Sequence, residues 1–209
     1  MPGSGVNLEE NPLRDYPSER DGIIFLAVLR IMKDKGIEEY LQAARQIAGE
    51  DPRARFYLVG EYEQESRALY EPQIKKLSED RIIRYFGHIN NVPEVMGHSH
   101  VIVHPSYHEG LSNVLLEAAA CGRPVLASDV HGCRETMLEG ESGLLFSARS
   151  AESLVQAMKT MLGFSESRRQ EMGRRGREYV EDTFDRRKVI DAYLEEIRKE
   201  VNRQPGSVL

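Results

Sequence analysis

The sequence predicts an α/β fold: a Rossmann-like, doubly wound parallel sheet of about six strands with helices on both faces. Two observations carry this. Short apolar runs alternate with stretches of helical spacing from Gly22 onward. The composition is an ordinary globular mixture, 40% hydrophobic and 30% charged over 209 residues.

Taken in order, residues Met1 to Arg20 are rich in Pro, Gly, Asn and charge and read as a linker or extended arm rather than a packed element. Gly22 to Val28 is a buried strand of Ile, Phe, Leu, Ala and Val. Asp34 to Ala48 has helical spacing through Ile37, Tyr40, Leu41, Ala44 and Ile47. Arg55 to Val59 is a second strand, closed by Gly60. A helical stretch interrupted near Pro72 follows, with Ile74 and Leu77 on one face. Ile82 to Phe86 is a third strand, and Asn91 or Val92 to roughly His98 a short helix with Pro93 near its first turn. Val101 to Val103 is a fourth strand. Ser112 is placed to cap a helix from Val114 to Cys121, ended by Gly122. Pro124 to Ala127 and Gly143 to Phe146 are the fifth and sixth strands, with a short helix near Cys133 to Leu138 between them. Ala151 to Leu162 is amphipathic, and two charged helices close the chain, Ser167 to Asp182 and Asp185 to Val201, the last capped by Asp185.

Six such strands take the order 3-2-1-4-5-6, which makes strands one and four neighbours at the switch point. Ligands bind outside the carboxyl ends of the strands there. The loop after strand one carries Arg30, Lys33 and Lys35; the loop after strand four carries Tyr107 to Ser112. The two most chemically loaded loops are therefore predicted to share one crevice. Gly110 gives its loop freedom to approach a ligand, and the following helix start offers free N–H groups to an anion. Two cations there suit a diphosphate, and the carboxylates Glu109 and Glu117 suit sugar or ribose hydroxyls. The plainer alternatives stay open. Arg30 and Lys35 are equally read as solvated charges or as salt-bridge partners of Glu109 and Glu117. Glu117, in a helix apolar nearly all round, either points to solvent, pairs with an Arg, or contacts a ligand. Tyr107 and His108 flank Glu109 and serve either sugar choice or loop packing.

Several classes are disfavoured. Net charge is −6 and the sequence pI about 5.6, against nucleic-acid binding. No apolar run is long enough to span a bilayer, and the start is not that of a signal peptide. Two cysteines, Cys121 and Cys133, suit a reducing cytoplasm. A Gly-x-Gly-x-x-Gly after the first strand, a P-loop and an Asp-x-Asp are all missing. All six histidines lie between His88 and His131, but their spacings fit the usual zinc patterns poorly.

Pro105-Ser106, Glu109-Gly110 and Glu117-Ala118 resemble the paired-glutamate motif of family 4 retaining glycosyltransferases of the GT-B fold. Cys121-Gly122-Arg123-Pro124-Val125, Glu139-Gly140 with Gly143-Leu144, and Leu29-Arg30 with Lys35-Gly36 resemble further segments of that family, in the same order. The likeness covers about Gly22 to Leu162 well and the final helices loosely, in the C-terminal, donor-binding half, and its flavour is that of enzymes building bacterial surface polysaccharide such as capsule. One departure is Ala27-Val28, where the family's first strand usually ends in Gly.

The resemblance implies that Arg30, Lys35 and Glu109 are catalytic: the first two bind the diphosphate and stabilise its departing charge, and Glu109 contacts the donor sugar. It implies that Gly110, Leu111 and Ser112 offer backbone N–H groups, that Glu117 binds ribose, and that His88, Ile89 and Val92 lie near the base. It implies a nucleotide-sugar donor, by default a UDP-sugar, with no metal or other cofactor. It also implies a saccharide or lipid-linked acceptor held by an N-terminal domain of the same enzyme, and peripheral membrane association through that half. The site is then cytoplasmic, at the inner membrane face, and this half alone binds nucleotide but turns over little. A non-catalytic nucleotide-sugar-binding module and a GT-B epimerase are the alternatives. The domain division expected is a linker over 1–20 (Pro2 to Asn7 resembling the interdomain connection), a nucleotide-sugar-binding unit over 21–165 and C-terminal helices over 166–209. Phe184, Val189 and Tyr193 are expected to be partly exposed where they would meet the other half.

Overall fold

A computed structural model describes residues 3–203, with side chains through residue 200. Pro2 of the expected interdomain connection, and the outermost residues of the first and last expected segments, lie outside that range. Six strands form one parallel sheet: β1 (Ile23–Val28), β2 (Ala54–Val59), β3 (Ile83–Tyr85), β4 (Val101–His104), β5 (Val125–Ser128) and β6 (Gly143–Phe146). Their order is β3-β2-β1-β4-β5-β6, as the sequence predicts. β1 pairs along its whole length with β2, and Phe25, Leu26 and Ala27 lie beside Val101, Ile102 and Val103 of β4.

Among the described residues the α-helices are α1 (Ile37–Glu50), α2 (Arg67–Glu79), α3 (Val92–Gly97), α4 (Asn113–Ala120), α5 (Ala151–Gly163), α6 (Glu166–Thr183) and α7 (Arg186–Arg203). Side-chain alternation along β1 divides the core. Phe25 and Ala27 pack with Ile37, Tyr40, Ile74 and Met158 of α1, α2 and α5, while Leu26 packs with Met96 and Leu115 of α3 and α4. Both faces are covered, which explains why the strands read as unbroken apolar runs.

Three local expectations change. α2 runs unbroken through Pro72, because Tyr70, Ile74 and Leu77, on both sides of it, are buried in one cluster. The segment near Cys133 to Leu138 makes only a 3-10 turn at Arg134–Thr136. α1 starts at Ile37 rather than Asp34: Lys33–Lys35 forms a 3-10 turn, and Gly36 at φ +73° separates the two.

Residues 3–22 lack regular structure apart from a 3-10 turn at Glu19–Asp21, yet they are docked against the rest of the chain. Val6 is buried with Leu116, Val180 and Phe184, its N–H donates to the Phe184 carbonyl at 2.8 Å, and its carbonyl accepts from Arg186 at 3.0 Å. Asp185 caps α7 through a 3.0 Å bond from the Arg187 N–H. Phe184 and Val189 are therefore buried within this chain, contrary to expectation, whereas Tyr193 is 39% exposed. Ile190, Leu194 and Ile197 are exposed with it, a helical stripe of apolar side chains. Among the described residues no helix is long and apolar enough to cross a membrane.

Candidate donor-binding site

The loops after β1 and β4 meet at the carboxyl ends of the two central strands, as the topology requires. Their contact is intimate. The Tyr107 N–H donates to the Asp34 carbonyl at 2.9 Å, and a Cβ on Gly36 would stand 2.0 Å from the Pro105 carbonyl oxygen. Only glycine fits there, on space as well as on its positive φ.

This approach brings Lys35 to Glu109. Lys35 Nζ lies 2.6 Å from Glu109 Oε1 and 3.4 Å from Ser106 Oγ. The same Glu109 oxygen lies 3.0 Å from His104 Nε2. Burial pushes the Glu109 carboxyl up, but the hydrogen bonds from His104 and Lys35 outweigh it and hold the group down at about 2. Glu109 is thus a fixed carboxylate in a part-buried crevice.

Ser112 caps α4, its Oγ accepting from the Leu115 N–H at 3.4 Å. One expectation fails here. The Ser112 N–H is directed at the Gly132 carbonyl at 2.8 Å and is not offered to a ligand. The N–H groups of Gly110, Leu111, Asn113 and Val114 have no partner among the described residues and remain the donors at this helix start. Gly132, at φ +83°, braces the loop from behind, and a Cβ on it would meet the Glu109 carbonyl oxygen at 2.5 Å.

Glu117, one turn into α4, makes no hydrogen bond or ion pair among the described residues. It is half-buried, and desolvation raises its carboxyl despite the charge of Arg186, with Glu10 adding to the rise. Arg30 is turned away from Lys35's partners. Its guanidinium pairs with Glu63 at 2.7 Å, with the arginine side chain 64% exposed. So of the two cations, Lys35 has Glu109 for a partner and Arg30 has a carboxylate the sequence reading missed.

His88 sits beyond β3, 3.1 Å from Asn90 Oδ1 and 3.7 Å from Glu61. Ile89 and Val92 pack against the core layer of α3 and α4. Tyr107 is a packing residue: its hydroxyl donates to the Glu39 carboxylate at 2.8 Å, and Arg149 stacks over its ring at 4.8 Å. His108 stays exposed beside Glu109. A hollow of about 650 Å³ lies between α2 and β3 and shares only His88 with the expected site residues. Among the described residues no group of three or more His, Cys, Asp or Glu side chains could hold a metal ion. The histidines have separate surroundings: Nδ1 of His100 takes the Ile24 N–H at 3.0 Å, and His131 pairs with Glu135 at 2.7 Å.

The geometry has close counterparts. The capsular polysaccharide biosynthesis glycosyltransferase CapM of Staphylococcus aureus is 27% identical over 179 residues, covering 85% of this chain and 47% of CapM. A Campylobacter jejuni N,N'-diacetylbacillosaminyl-diphospho-undecaprenol α-1,3-N-acetylgalactosaminyltransferase is 28% identical, covering 66% of this chain and 35% of its own length. This chain thus spans half or less of these curated relatives. Among solved structures, Anabaena HepE in complex with UDP and glucose superimposes with a TM-score of 0.81 at 19% identity, over 93% of this chain and 55% of HepE. The C-terminal domain of the Francisella tularensis glycosyl transferase LpcC matches over 87% of this chain and 99% of that domain, with a TM-score of 0.74 at 21% identity. These two likenesses establish the fold. The family described as glycosyl transferases group 1 matches residues 20–163, and the chain belongs to that family, with the Rossmann-like α/β fold of a GT-B C-terminal domain.

Proposed function

We propose that this chain is the donor-binding half of a retaining glycosyltransferase, one that moves a sugar from a nucleotide diphosphate to a saccharide or lipid-linked acceptor in bacterial surface polysaccharide synthesis. The observation that carries the reading is the crevice at the switch point. There a fixed Glu109 carboxylate, the Lys35 ammonium and unpaired N–H groups at the start of α4 lie together. Lys35 and the free N–H groups bind the diphosphate, with Arg30 released from its exposed pair with Glu63. Glu109 accepts hydrogen bonds from the sugar hydroxyls, and Glu117, a desolvated acceptor without a partner among the described residues, takes those of the ribose. His88, Ile89 and Val92 border the base. As the glycosidic bond to the diphosphate breaks, negative charge grows on the leaving oxygens, and cations already in place stabilise it. No metal is needed for that neutralisation.

HepE, a fold neighbour, binds UDP and glucose, and CapM acts in capsular polysaccharide biosynthesis. They support a UDP-sugar donor and a surface-polysaccharide product here. The acceptor belongs to an N-terminal half. The exposed stripe of Ile190, Tyr193, Leu194 and Ile197 on α7 is the surface offered to it, on the cytoplasmic side of the membrane. Calorimetric titration of this chain with uridine, guanosine and adenosine diphosphates, with and without magnesium, tests the reading. Saturable binding of one of them, the same with and without metal, is expected. Binding of none, or binding that needs magnesium, overturns it.

A further inference from the structure

His104 ends β4 and is only 3% exposed. Nε2 lies 3.0 Å from Glu109 Oε1 and 3.1 Å from Ser112 Oγ. Nδ1 is buried and has no hydrogen-bond partner among the described residues. That unpaired nitrogen decides the tautomer. A proton on Nδ1 would be a buried donor without an acceptor, while Nε2 would face a carboxylate with a lone pair. With the ring proton on Nε2, Nδ1 keeps only an unfilled lone pair and the carboxylate receives a hydrogen bond. The ring also touches the residue that caps α4, so one buried side chain ties the loop carboxylate to the helix start.

We propose that His104 is the positioning residue of the donor site: it holds Glu109 in place for the sugar hydroxyls. The inference rests on the donor-site reading above and deepens it. Lys35 and His104 both bond to Oε1 of Glu109, which leaves Oε2 with the capacity to accept from a ligand. The two tethers differ in what a ligand does to them. A bound diphosphate competes with Glu109 for the Lys35 ammonium, and Lys35 sits on a flexible stem. His104 is enclosed by the protein and carries no charge a phosphate would draw away in this tautomer. When the diphosphate engages Lys35, His104 is the tether that keeps Glu109 from swinging. Its contribution therefore belongs to the sugar end of the donor and not to the nucleotide end, which separates it from a core histidine that merely satisfies its neighbours.

The test is calorimetric titration of wild type, His104→Leu and His104→Gln with UDP and with UDP-glucose, with thermal unfolding of each. His104→Leu is expected to bind UDP within about twofold of wild type and UDP-glucose about tenfold more weakly, the scale of one hydrogen bond to a charged group. His104→Gln carries an amide N–H at the reach of Nε2 and is expected to recover most of that loss. Should leucine unfold the chain, His104→Asn replaces it; its amide is too short to reach Oε1, and the same selective loss is expected. Equal losses for UDP and UDP-glucose, or no loss for either, overturn the proposal while the donor site stands. Wild type that binds neither ligand overturns the donor-site reading and this proposal together.

Discussion

The two ends of the sheet treat charge in opposite ways. At the amino ends of the strands, Arg123 and Arg169 are each 1% exposed and fully engaged. Arg123 donates to five carbonyls, those of Arg14, Asp15, Met96, Gly97 and Gly122, and so ties the N-terminal arm to the loops before β4 and β5. Arg169 grips the Glu19 carboxylate with two nitrogens and donates to the Met161 and Phe164 carbonyls. At the carboxyl ends, charge is left under-used. Among the described residues Glu117 has no hydrogen-bond or ion-pair partner, Arg30 is mostly in water, and four N–H groups around the start of α4 are open. Charge that holds the fold is saturated by the protein, whereas charge at the carboxyl ends keeps capacity in reserve.

The sharpest way to break this contrast is at the saturated end. Arg123→Met removes the donors from several buried carbonyls at once, and Arg169→Met leaves the Glu19 carboxylate without its partner. Each is expected to cost about 3–5 kcal/mol in urea unfolding, the range for breaking a buried charged network. Either variant costing under about 1 kcal/mol would show that these arginines are not structural anchors. At the other end, Lys35→Met is expected to weaken nucleoside diphosphate binding by about 1.5–3 kcal/mol, the range for a charged hydrogen bond. Calorimetry reads it directly, and unchanged affinity in a folded variant removes Lys35 from the diphosphate site.

Much of this contrast was legible in the chain, because topology follows from pattern. Unbroken apolar runs imply buried parallel strands, six of them imply the observed order, and the order alone puts the loops of Lys35 and Glu109 together. What stayed hidden depends on side-chain direction. Nothing in the spacing says that Arg30 turns to Glu63, or that the Ser112 N–H is taken by Gly132. His104, the last residue of β4, and Glu109 are five residues apart across an irregular loop, and only the folded path of that loop brings their side chains to 3.0 Å. A polar residue ending an otherwise apolar strand was the available signal. The arm before β1 reads from composition as a linker or extended arm, and its docking is hidden because its anchors, Arg123 and Arg169, lie more than a hundred residues away in sequence.

The paired glutamates carry the contrast into a single stretch of chain, and pH separates them. Glu109 is held down at about 2 against an ordinary 4.5, so its ionised form stabilises the fold. That contribution is present above about 4.5 and is lost as pH falls through 2. Glu109→Gln should flatten the acid limb of stability in urea titrations across that window; an unaltered limb would mean the tethers hold the carboxylate no better than water does.

Glu117 has the opposite sign. Its carboxyl is raised by burial, so the folded state holds the proton longer than the unfolded one, and stability falls as pH rises from the ordinary carboxylate value through the raised one. The ionised group is therefore a cost to the fold. Glu117→Gln should leave stability unchanged or slightly higher while weakening nucleoside diphosphate binding by about 1–3 kcal/mol through loss of charge-assisted hydrogen bonds. A variant that is less stable yet binds normally would place Glu117 with the saturated charges, as a structural residue whose partner is a solvent molecule rather than a ribose.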